Sequence, residues 1–215
     1  MSSRKQVIYL SSTETGRALL AWLRTQPCDV VLANTDNTSA DHLPPCDLGL
    51  GFLYVHKIPA SEFIEPHKWV NFHPGPLPEF RGRDLAYHAI MQGCDQFGAT
   101  IHYMDAQFDT GEIIEVVRFP IESGDTAGDL VLKSHEQLAS LFRKYVPLLL
   151  QGKVPSHPQP AGAYYRKAVI DDEIHLSEEQ ARKVRAVTVH PRFTAHTIIG
   201  GRKYLLAPVE PGGPS

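Results

Sequence analysis

The chain is poor in cysteine and has no long apolar segment. Its three cysteines, Cys28, Cys46 and Cys94, show no paired spacing, which argues against a disulfide framework and favours free thiols in a reducing compartment. The apolar run near the start, Val7 to Leu10, is too short for a secretion signal, and no run approaches the length of a membrane span. We therefore expect a cytoplasmic protein with no membrane partner.

The sequence also lacks a surplus of positive charge. With 21 Lys and Arg residues against 24 Asp and Glu residues, the formal net charge is -3. A nucleic-acid surface would need a basic patch, so we expect no nucleic-acid partner. The hydrophobic content of 42% and the charged content of 21% are ordinary for a globular chain, and 215 residues suit one domain with a small appendage.

Two common ligand signatures are missing. No Gly-x-Gly-x-x-Gly follows the first predicted strand, and the Gly49-x-Gly51 pair is not continued, so we expect no dinucleotide site. The 11 histidines are scattered, and His135-Glu136 lacks a second histidine four residues later. Because no set of histidines and cysteines has zinc spacing, we expect no metal.

Hydrophobic periodicity predicts an α/β fold. Short apolar runs predict the buried strands of one sheet, at 6–10, 29–33, 47–53, 69–72, 97–104 and 112–119. Helical faces are predicted over 15–24, over 84–92 and from Thr126 to Gly152. A strand, a helix and a second strand at the start of the chain predict a parallel crossover unit.

Proline and glycine divide the chain after the long predicted helix. Residues 1–152 form the predicted main domain, and the Pro- and Gly-rich stretch 153–165 is interpreted as a linker. Apolar runs on both sides of Gly200-Gly201 predict a small β appendage over 166–208, since Gly-Gly between such runs is a hairpin signal. The Pro- and Gly-rich end, 209–215, is predicted to be disordered.

Two polar stretches carry the candidate chemistry, Asn71 to Gly82 and His102 to Gly111. Side chains alternate along a strand, so Asn71 and His73 are expected on the same side. The prolines that follow His73 predict a rigid loop leaving the sheet. Asp109 lies in the second stretch, just before Thr-Gly. An amide, an imidazole and a carboxylate on two loops form a candidate acid–base site.

Each of these residues also has an ordinary structural interpretation. A histidine beside a proline loop is more often a hydrogen-bonding residue than a catalyst, and an aspartate before Thr-Gly is more often a turn former. His102 lies on a predicted strand and faces inward by alternation, so we interpret it as a buried core histidine.

Taken together, the two stretches resemble the signature of the folate-dependent formyltransferases, in which Asn-x-His-Pro and a Leu-Pro-x-x-x-Gly loop precede His-x-x-x-x-x-x-Asp-x-Gly. The matching residues are Asn71, His73, Leu77, Pro78, Gly82, His102, Asp109 and Gly111. The proline loop looks most similar to the branch that formylates amino sugars attached to nucleotides. The resemblance spans residues 47–152 well and the two ends poorly.

The resemblance implies a Rossmann-like sheet with flanking helices. It implies an enzyme that moves a formyl group from 10-formyltetrahydrofolate, as co-substrate, to a primary amine of a nucleotide-linked amino sugar. The partners would be small molecules, and relatives in the sugar branch commonly form homodimers. The family usually has a further helix and strand near residue 40, where this sequence has only the polar stretch 34–46, so we expect a narrower sheet.

The resemblance assigns catalysis to Asn71, His73 and Asp109. An amide can donate to the oxyanion of a tetrahedral intermediate, a histidine can be charged or neutral near neutral pH, and a carboxylate can orient the histidine or draw a proton from the amine. The residues expected to bind the folate are Leu53, Tyr54, Val55, Leu77, Asp105 and Phe108. Thr13 and Arg81 are expected to bind the acceptor. Arg81 is the basic residue beside the proline loop.

Other functions stay open at this point. Formylation of glycinamide ribonucleotide is disfavoured because Ser11 to Glu14 lacks a glycine-rich phosphate loop, and a formyl-folate hydrolase would carry an extra N-terminal domain. The expected appendage is shorter than the barrel domain by which the initiator-tRNA members grip tRNA. A non-catalytic binding protein with a folate fold would have no use for the complete set of Asn71, His73 and Asp109.

Overall fold

The computed structural model describes residues 4–36, 42–63, 65–168, 177, 180, 195–199 and 201–206. Contacts divide the chain into two units, one of residues 1–121 and 127–168 and the other of residues 122–126 and 169–215. The candidate site residues all lie in the first unit.

Six strands of the first unit form one mixed sheet. The strands of this unit are β1 (Lys5–Ser11), β2 (Cys28–Asn34), β3 (Leu48–Phe52), β4 (Trp69–His73), β5 (Arg81–Gly82), β6 (Gln96–Tyr103), β7 (Ile113–Pro120) and β8 (Tyr164–Tyr165). Its helices are α1 (Glu14–Leu23), α2 (Leu85–Met91) and α3 (Ala127–Gln151), with a 3₁₀ turn at Ala60–Phe63. The sheet order is β2-β1-β3-β4-β6-β7, parallel from β2 to β4 and antiparallel from β4 to β7. This confirms the predicted α/β class.

The sheet is narrow on the side of β2, which lies at its edge. The described residues between β2 and β3, namely 35–36 and 42–47, form neither helix nor strand. This agrees with the shortening expected near residue 40.

Helix α1 begins where the sequence provides a cap. The backbone of Thr13 is extended, and its hydroxyl accepts a hydrogen bond from the Gly16 N–H at 3.1 Å. This bond satisfies one of the N–H groups that the first turn of a helix leaves unpaired. Leu19 and Leu23 then pack into the main core, which fixes α1 on the sheet.

The main core is centred on Phe142 of α3. Its ring lies 5.0 to 5.8 Å, between centroids, from the rings of Tyr9, Trp22, Phe52 and Phe72. These partners come from β1, α1, β3 and β4, so one side chain joins the helix to three strands and to α1. Most of the pairs are edge-to-face or tilted, as aromatic rings prefer.

Helix α3 has 25 residues and buries one stripe of apolar side chains against the sheet. The stripe comprises Leu130, Leu138, Leu141, Phe142, Val146 and Leu149. The rest of its surface is largely polar or half-exposed. None of the helices in the described ranges has both the length and the apolar content that a bilayer span requires.

The stretch interpreted as a linker, 153–165, belongs to the first unit and is called the strap below. Val154 is buried, and its N–H and C=O both bond to the Tyr103 hydroxyl, at 2.8 and 3.0 Å. His157 and Ile113 exchange two backbone hydrogen bonds of 2.9 Å, and β8 pairs in parallel with β5. The linker interpretation was wrong because proline and glycine exclude regular helix and central strand, whereas they do not exclude packing.

In the second unit, β9 (Ala195–Ile199) and β10 (Arg202–Leu206) form an antiparallel hairpin. Gly201 has a φ of 77°, a conformation that favours glycine. The hairpin agrees with the turn predicted at this point. Apart from residues 166–168, Ser177 and Gln180, the remainder of the predicted appendage lies outside the described residues, as does the predicted disordered tail, 209–215.

We expect Phe142→Ala to destabilise the first unit by about 3–5 kcal/mol, the usual cost of removing a buried aromatic side chain. The matched control is Leu148→Ala on the same helix, where the side chain is 45% exposed, and it should cost less than about 1 kcal/mol. Urea unfolding followed by circular dichroism measures both free energies. Equal losses would contradict the central place of Phe142.

Candidate active site

Two antiparallel neighbours, β4 and β6, carry most of the polar side chains of the site. On β4, Val70 and Phe72 pack into the main core, while Asn71 and His73 line one cavity on the other side. The alternation predicted from the sequence is therefore present. On β6, His102 lies directly opposite Asn71 in the pairing register.

Asp109 reaches these strands from the loop between β6 and β7. Its backbone has a φ of 56°, in the left-handed region that few non-glycine residues adopt. Its Oδ1 lies 3.4 Å from His73 Nδ1 and 3.8 Å from His102 Nε2. Its Oδ2 accepts a hydrogen bond from the Gly82 N–H at 3.0 Å. The two predicted loops thus converge through this carboxylate.

Both ring nitrogens of His73 face groups that can only accept a hydrogen bond. Nε2 lies 2.7 Å from the Phe80 carbonyl oxygen, and Nδ1 faces the Asp109 carboxylate. The charged imidazolium is the form that satisfies both contacts. Burial alone would lower the pKa of His73, but the charge of Asp109 and the hydrogen bonds to Asp109 and Phe80 outweigh it, and the pKa is raised.

Asp109 is the matching anion. Burial alone would raise the pKa of this carboxyl group, but the charge and hydrogen bond of His73 oppose it, followed by the contacts with His102 and the Gly82 N–H. The pKa of Asp109 consequently lies well below its usual range. The outcome is a buried ion pair in which each charge compensates the other.

His102 is held in the neutral form. Its Nδ1 lies 2.7 Å from the Tyr103 carbonyl oxygen, so the ring hydrogen is on Nδ1. Nε2 then accepts from the side-chain N–H of Asn71, at 3.2 Å. Burial lowers the pKa of His102 to about 4, and Asp109 opposes this shift only in part. The interpretation of a core histidine was right about burial but missed that His102 orients the Asn71 amide.

Two cavities meet at this cluster. The inner chamber, of about 80 Å³, is lined by Gly51, Tyr54, His56, Lys57, Ile58, Phe63, Asn71, His102, Met104, Asp105, Ala106, Gln107, Phe108 and Asp109. The outer chamber, of about 460 Å³, is lined by Leu53, Tyr54, Val55, His56, Asn71, Phe72, His73, Pro74, Gly82, Arg83, Asp84, Phe108, Asp109 and Tyr164. Asn71 and Asp109 line both, so they stand where contents of the two chambers would meet.

Most of the residues expected to bind folate line a chamber. Asp105 lines the inner chamber, Leu53 and Val55 line the outer one, and Tyr54 and Phe108 line both. One carboxylate oxygen of Asp105 already accepts hydrogen bonds within its own loop, from a backbone N–H at 3.0 Å and a threonine hydroxyl at 2.7 Å. Asp105 therefore also shapes the loop that carries Asp109.

Leu77, Thr13 and Arg81 line neither chamber. Leu77 is only 1% exposed and belongs to the protein interior. Thr13 caps α1, and the Arg81 guanidinium donates to the Gly162 carbonyl of the strap. Sequence proximity to a motif suggested these residues, but it does not determine which way a side chain points.

The outer chamber has two further lining residues that suit a ligand, Arg83 and Tyr164. Arg83, two positions after Arg81, lines this chamber in its place. Tyr164 lies on the strap and is 50% exposed. Nothing in the sequence could indicate Tyr164, since only the pairing of β8 with β5 brings it to the chamber.

The cluster also contains three potential metal donors. One ligand atom each from His73, His102 and Asp109 lies within 4.8 Å of the others. Spacing could not reveal this cluster, because two donors come from separate strands and the third from a loop. Hydrogen-bonding and charge contacts with Phe80, Tyr103, Asn71 and each other account for all the ring nitrogens. The expectation that the chain holds no metal stays a prediction.

Residues 54–146 match the family described as Formyl transferase. Methionyl-tRNA formyltransferase from Acidothermus cellulolyticus is 32% identical over 186 residues, which are 83% of this chain and 57% of that protein. The chain spans about half the length of the curated relatives it matches. The family match over residues 54–146 includes the segment that holds Asn71, His73 and Asp109.

Crystal structures of two formyltransferases share the fold. One is PseJ from Anoxybacillus kamchatkensis in complex with UDP-4,6-dideoxy-4-formamido-L-AltNAc and tetrahydrofolate, with a TM-score of 0.65, 22% identity and coverage of 86% of this chain and 93% of that one. The other is the N-formyltransferase from Helicobacter canadensis in complex with folinic acid and dTDP-3-aminofucose. Its TM-score is 0.67 at 18% identity, and the match covers 81% of this chain and 75% of that one. These likenesses confirm the fold.

We expect His102 to stay neutral, with its hydrogen on Nδ1, until the pH falls to about 4. Protonation of Nε2 would set two donors, His102 and Asn71, against each other. Ring ¹⁵N–¹H NMR measures the tautomer and the titration midpoint, with His102→Gln to assign the signals. A midpoint near the unperturbed value of ~6.5, or a hydrogen on Nε2 at neutral pH, would contradict this network.

Proposed function

The chain belongs to the formyltransferase family, and we propose that it transfers a formyl group from 10-formyltetrahydrofolate to a primary amine of a nucleotide-linked amino sugar. The observation that carries the proposal is the position of Asn71 and Asp109 where the two chambers meet. In the reaction the amine nitrogen bonds to the formyl carbon, the bond from that carbon to N10 of the folate breaks, and one proton moves from the amine to N10. The products are a formamide and tetrahydrofolate.

The inner chamber, at about 80 Å³, is smaller than the usual small-molecule site of roughly 300–1,000 Å³, and it is the proposed site of only the pterin end of the folate. It lies beyond the carboxyl end of β3, where α/β sheets usually bind ligands. Apolar side chains of Ile58, Phe63 and Met104 form part of its wall, and Asp105 adds a polar group. The two neighbouring structures contain tetrahydrofolate and folinic acid, which supports a folate as the donor.

The outer chamber is the proposed site of the acceptor. Its volume of about 460 Å³ lies within the usual range of roughly 300–1,000 Å³ for small-molecule sites. Arg83 supplies a cation that suits a phosphate, and Tyr164 supplies a half-exposed ring that suits a base or sugar face. A nucleotide-linked amino sugar has a group for each of these contacts.

Asn71 is the proposed donor to the oxyanion. A carboxamide has two N–H groups, and His102 accepts from one of them, so the other can donate to the formyl oxygen as it becomes negative. Because His102 remains neutral over the working pH range, its lone pair keeps the Asn71 amide in one orientation. The donor is thereby preorganised before the substrate arrives.

Asp109 and His73 are the proposed groups that handle the amine. Asp109 is ionised and can accept an N–H from the incoming amine, which orients the nitrogen and stabilises the positive charge that develops on it during attack. With such a low pKa, Asp109 is a weak base by itself. Asp109 therefore passes the proton from the amine to N10 of the departing folate, while the His73 imidazolium, which has no free lone pair, holds the carboxylate in place.

Methionyl-tRNA is the second candidate acceptor, because the curated relatives at about one-third identity are named methionyl-tRNA formyltransferases. The net charge of -3 disfavours a polyanionic acceptor of that size. Glycinamide ribonucleotide is a further candidate, since its phosphate suits Arg83, but it has no base to stack on the Tyr164 ring.

We expect formylation of at least one member of a panel of UDP- and dTDP-linked amino sugars when purified protein is mixed with 10-formyltetrahydrofolate. The panel includes methionyl-tRNA and glycinamide ribonucleotide, and product mass together with tetrahydrofolate release gives the readout. Formylation of methionyl-tRNA alone would reject the sugar acceptor. Folate binding by calorimetry without formylation of any amine would reject the enzyme in favour of a binding protein.

Asn71→Ala should lower kcat by about 10²–10³-fold, the usual effect of removing one oxyanion donor. Asp109→Asn should also abolish most turnover, because the amide cannot pair with the His73 imidazolium. The matched controls, Gln96→Ala at the far end of β6 and Asp95→Asn, are exposed positions of the same chemical types and should keep full activity. Unchanged kcat in folded Asn71→Ala would remove this residue from the mechanism.

A further inference from the structure

The strap contacts both loops of the candidate site. On one side, Gln159 Nε2 donates to the carbonyl oxygens of Asp109, at 3.1 Å, and of Gly111, at 2.7 Å. On the other side, the pairing of β8 with β5 holds the segment that includes Gly82, whose N–H bonds to the Asp109 carboxylate. The strap therefore links two segments that are remote in sequence but share one carboxylate.

The strap also packs on the residue that orients His73. The Tyr165 ring stacks on Phe80, with centroids 5.3 Å apart and planes at 15°. The Phe80 carbonyl is the acceptor for His73 Nε2. At Gly162 a Cβ would lie 1.7 Å from the Pro78 carbonyl oxygen, so only glycine allows this approach. Both partners of the ion pair are thus supported by the strap.

Gln159 acts on the least favourable backbone conformation in the site. Asp109 has a φ of 56°, and such left-handed residues persist where their surroundings hold them. Two hydrogen bonds from one amide fix the carbonyl groups of Asp109 and Gly111. The orientation of the amide is unambiguous, since the reverse orientation would set its oxygen against two carbonyl oxygens.

The Gln159 side chain also has an unfavourable feature, a buried oxygen without a hydrogen bond. Gln159 Oε1 is buried and has no hydrogen-bond partner among the residues that the structure describes. An unpaired buried acceptor is unfavourable, so stability by itself does not favour glutamine at this position. A requirement for two N–H donations at the Asp109 loop does favour it.

From these contacts we infer that Gln159 is a positioning residue. It keeps the Asp109 loop in the conformation that aims the carboxylate at His73, and it contacts neither chamber. The consequence for turnover rests on the proposed function, whereas the consequence for the His73–Asp109 pair does not.

Gln159→Ala should lower kcat roughly tenfold, as expected for the loss of two ordinary hydrogen bonds, with KM for 10-formyltetrahydrofolate unchanged. Gln159→Glu should lower kcat further, because a carboxylate would face two carbonyl oxygens. In both variants the NMR titration midpoint of the His73 ring should fall, since the Asp109 carboxylate is no longer held beside it. Gln151→Ala, at the exposed end of α3, is the matched control and should change neither quantity.

The His73 titration needs no acceptor, so it decides the role of Gln159 even if every amine in the panel fails. A folded Gln159→Ala protein with an unchanged His73 midpoint would overturn the inference, as would a lower melting temperature with no change in that midpoint. Should Gln159→Ala not fold, Gln159→Asn keeps a donor of shorter reach, and the same titration applies. A lowered midpoint in either variant supports the inference.

Discussion

A buried ion pair, His73 with Asp109, is the contact on which the site depends. Neither charge is tolerated in the interior without the other, because desolvation would shift each group to its neutral form. The surrounding groups are arranged to keep the pair charged: the Phe80 carbonyl faces one side of the imidazole, and the Gly82 N–H faces the free oxygen of the carboxylate. Loss of either partner would therefore shift the remaining group towards its neutral form.

The antiparallel pairing of β4 and β6 gives this pair its setting. The register of the two strands sets Asn71 opposite His102, and His73 meets Asp109 at the edge of the same cluster. One face of β4 contributes to the aromatic core around Phe142 and the other to the site. The packing of Val70 and Phe72 in the core therefore fixes the strand that carries Asn71 and His73.

Local sequence patterns predicted those features of the molecule that are set by residues close together in the sequence. Alternation along β4 placed Asn71 and His73 together, and apolar periodicity predicted the six strands of the sheet and its three helices. The same kind of reasoning failed for the strap, where proline and glycine content described the backbone but not its contacts. It also suggested Leu77, Thr13 and Arg81, which line neither chamber.

The sequence by itself determined the class of the fold, the order of its elements and the three groups proposed to act in catalysis, because periodicity and a two-part motif are local in the chain. The tertiary structure alone decided the protonation of His73 and His102, the place of Arg83 and Tyr164 in the outer chamber, and the support of the Asp109 loop by Gln159. Those properties arise from burial and from contacts between segments far apart in sequence. A pKa or a chamber wall depends on all the groups around it, and only folding brings those groups together.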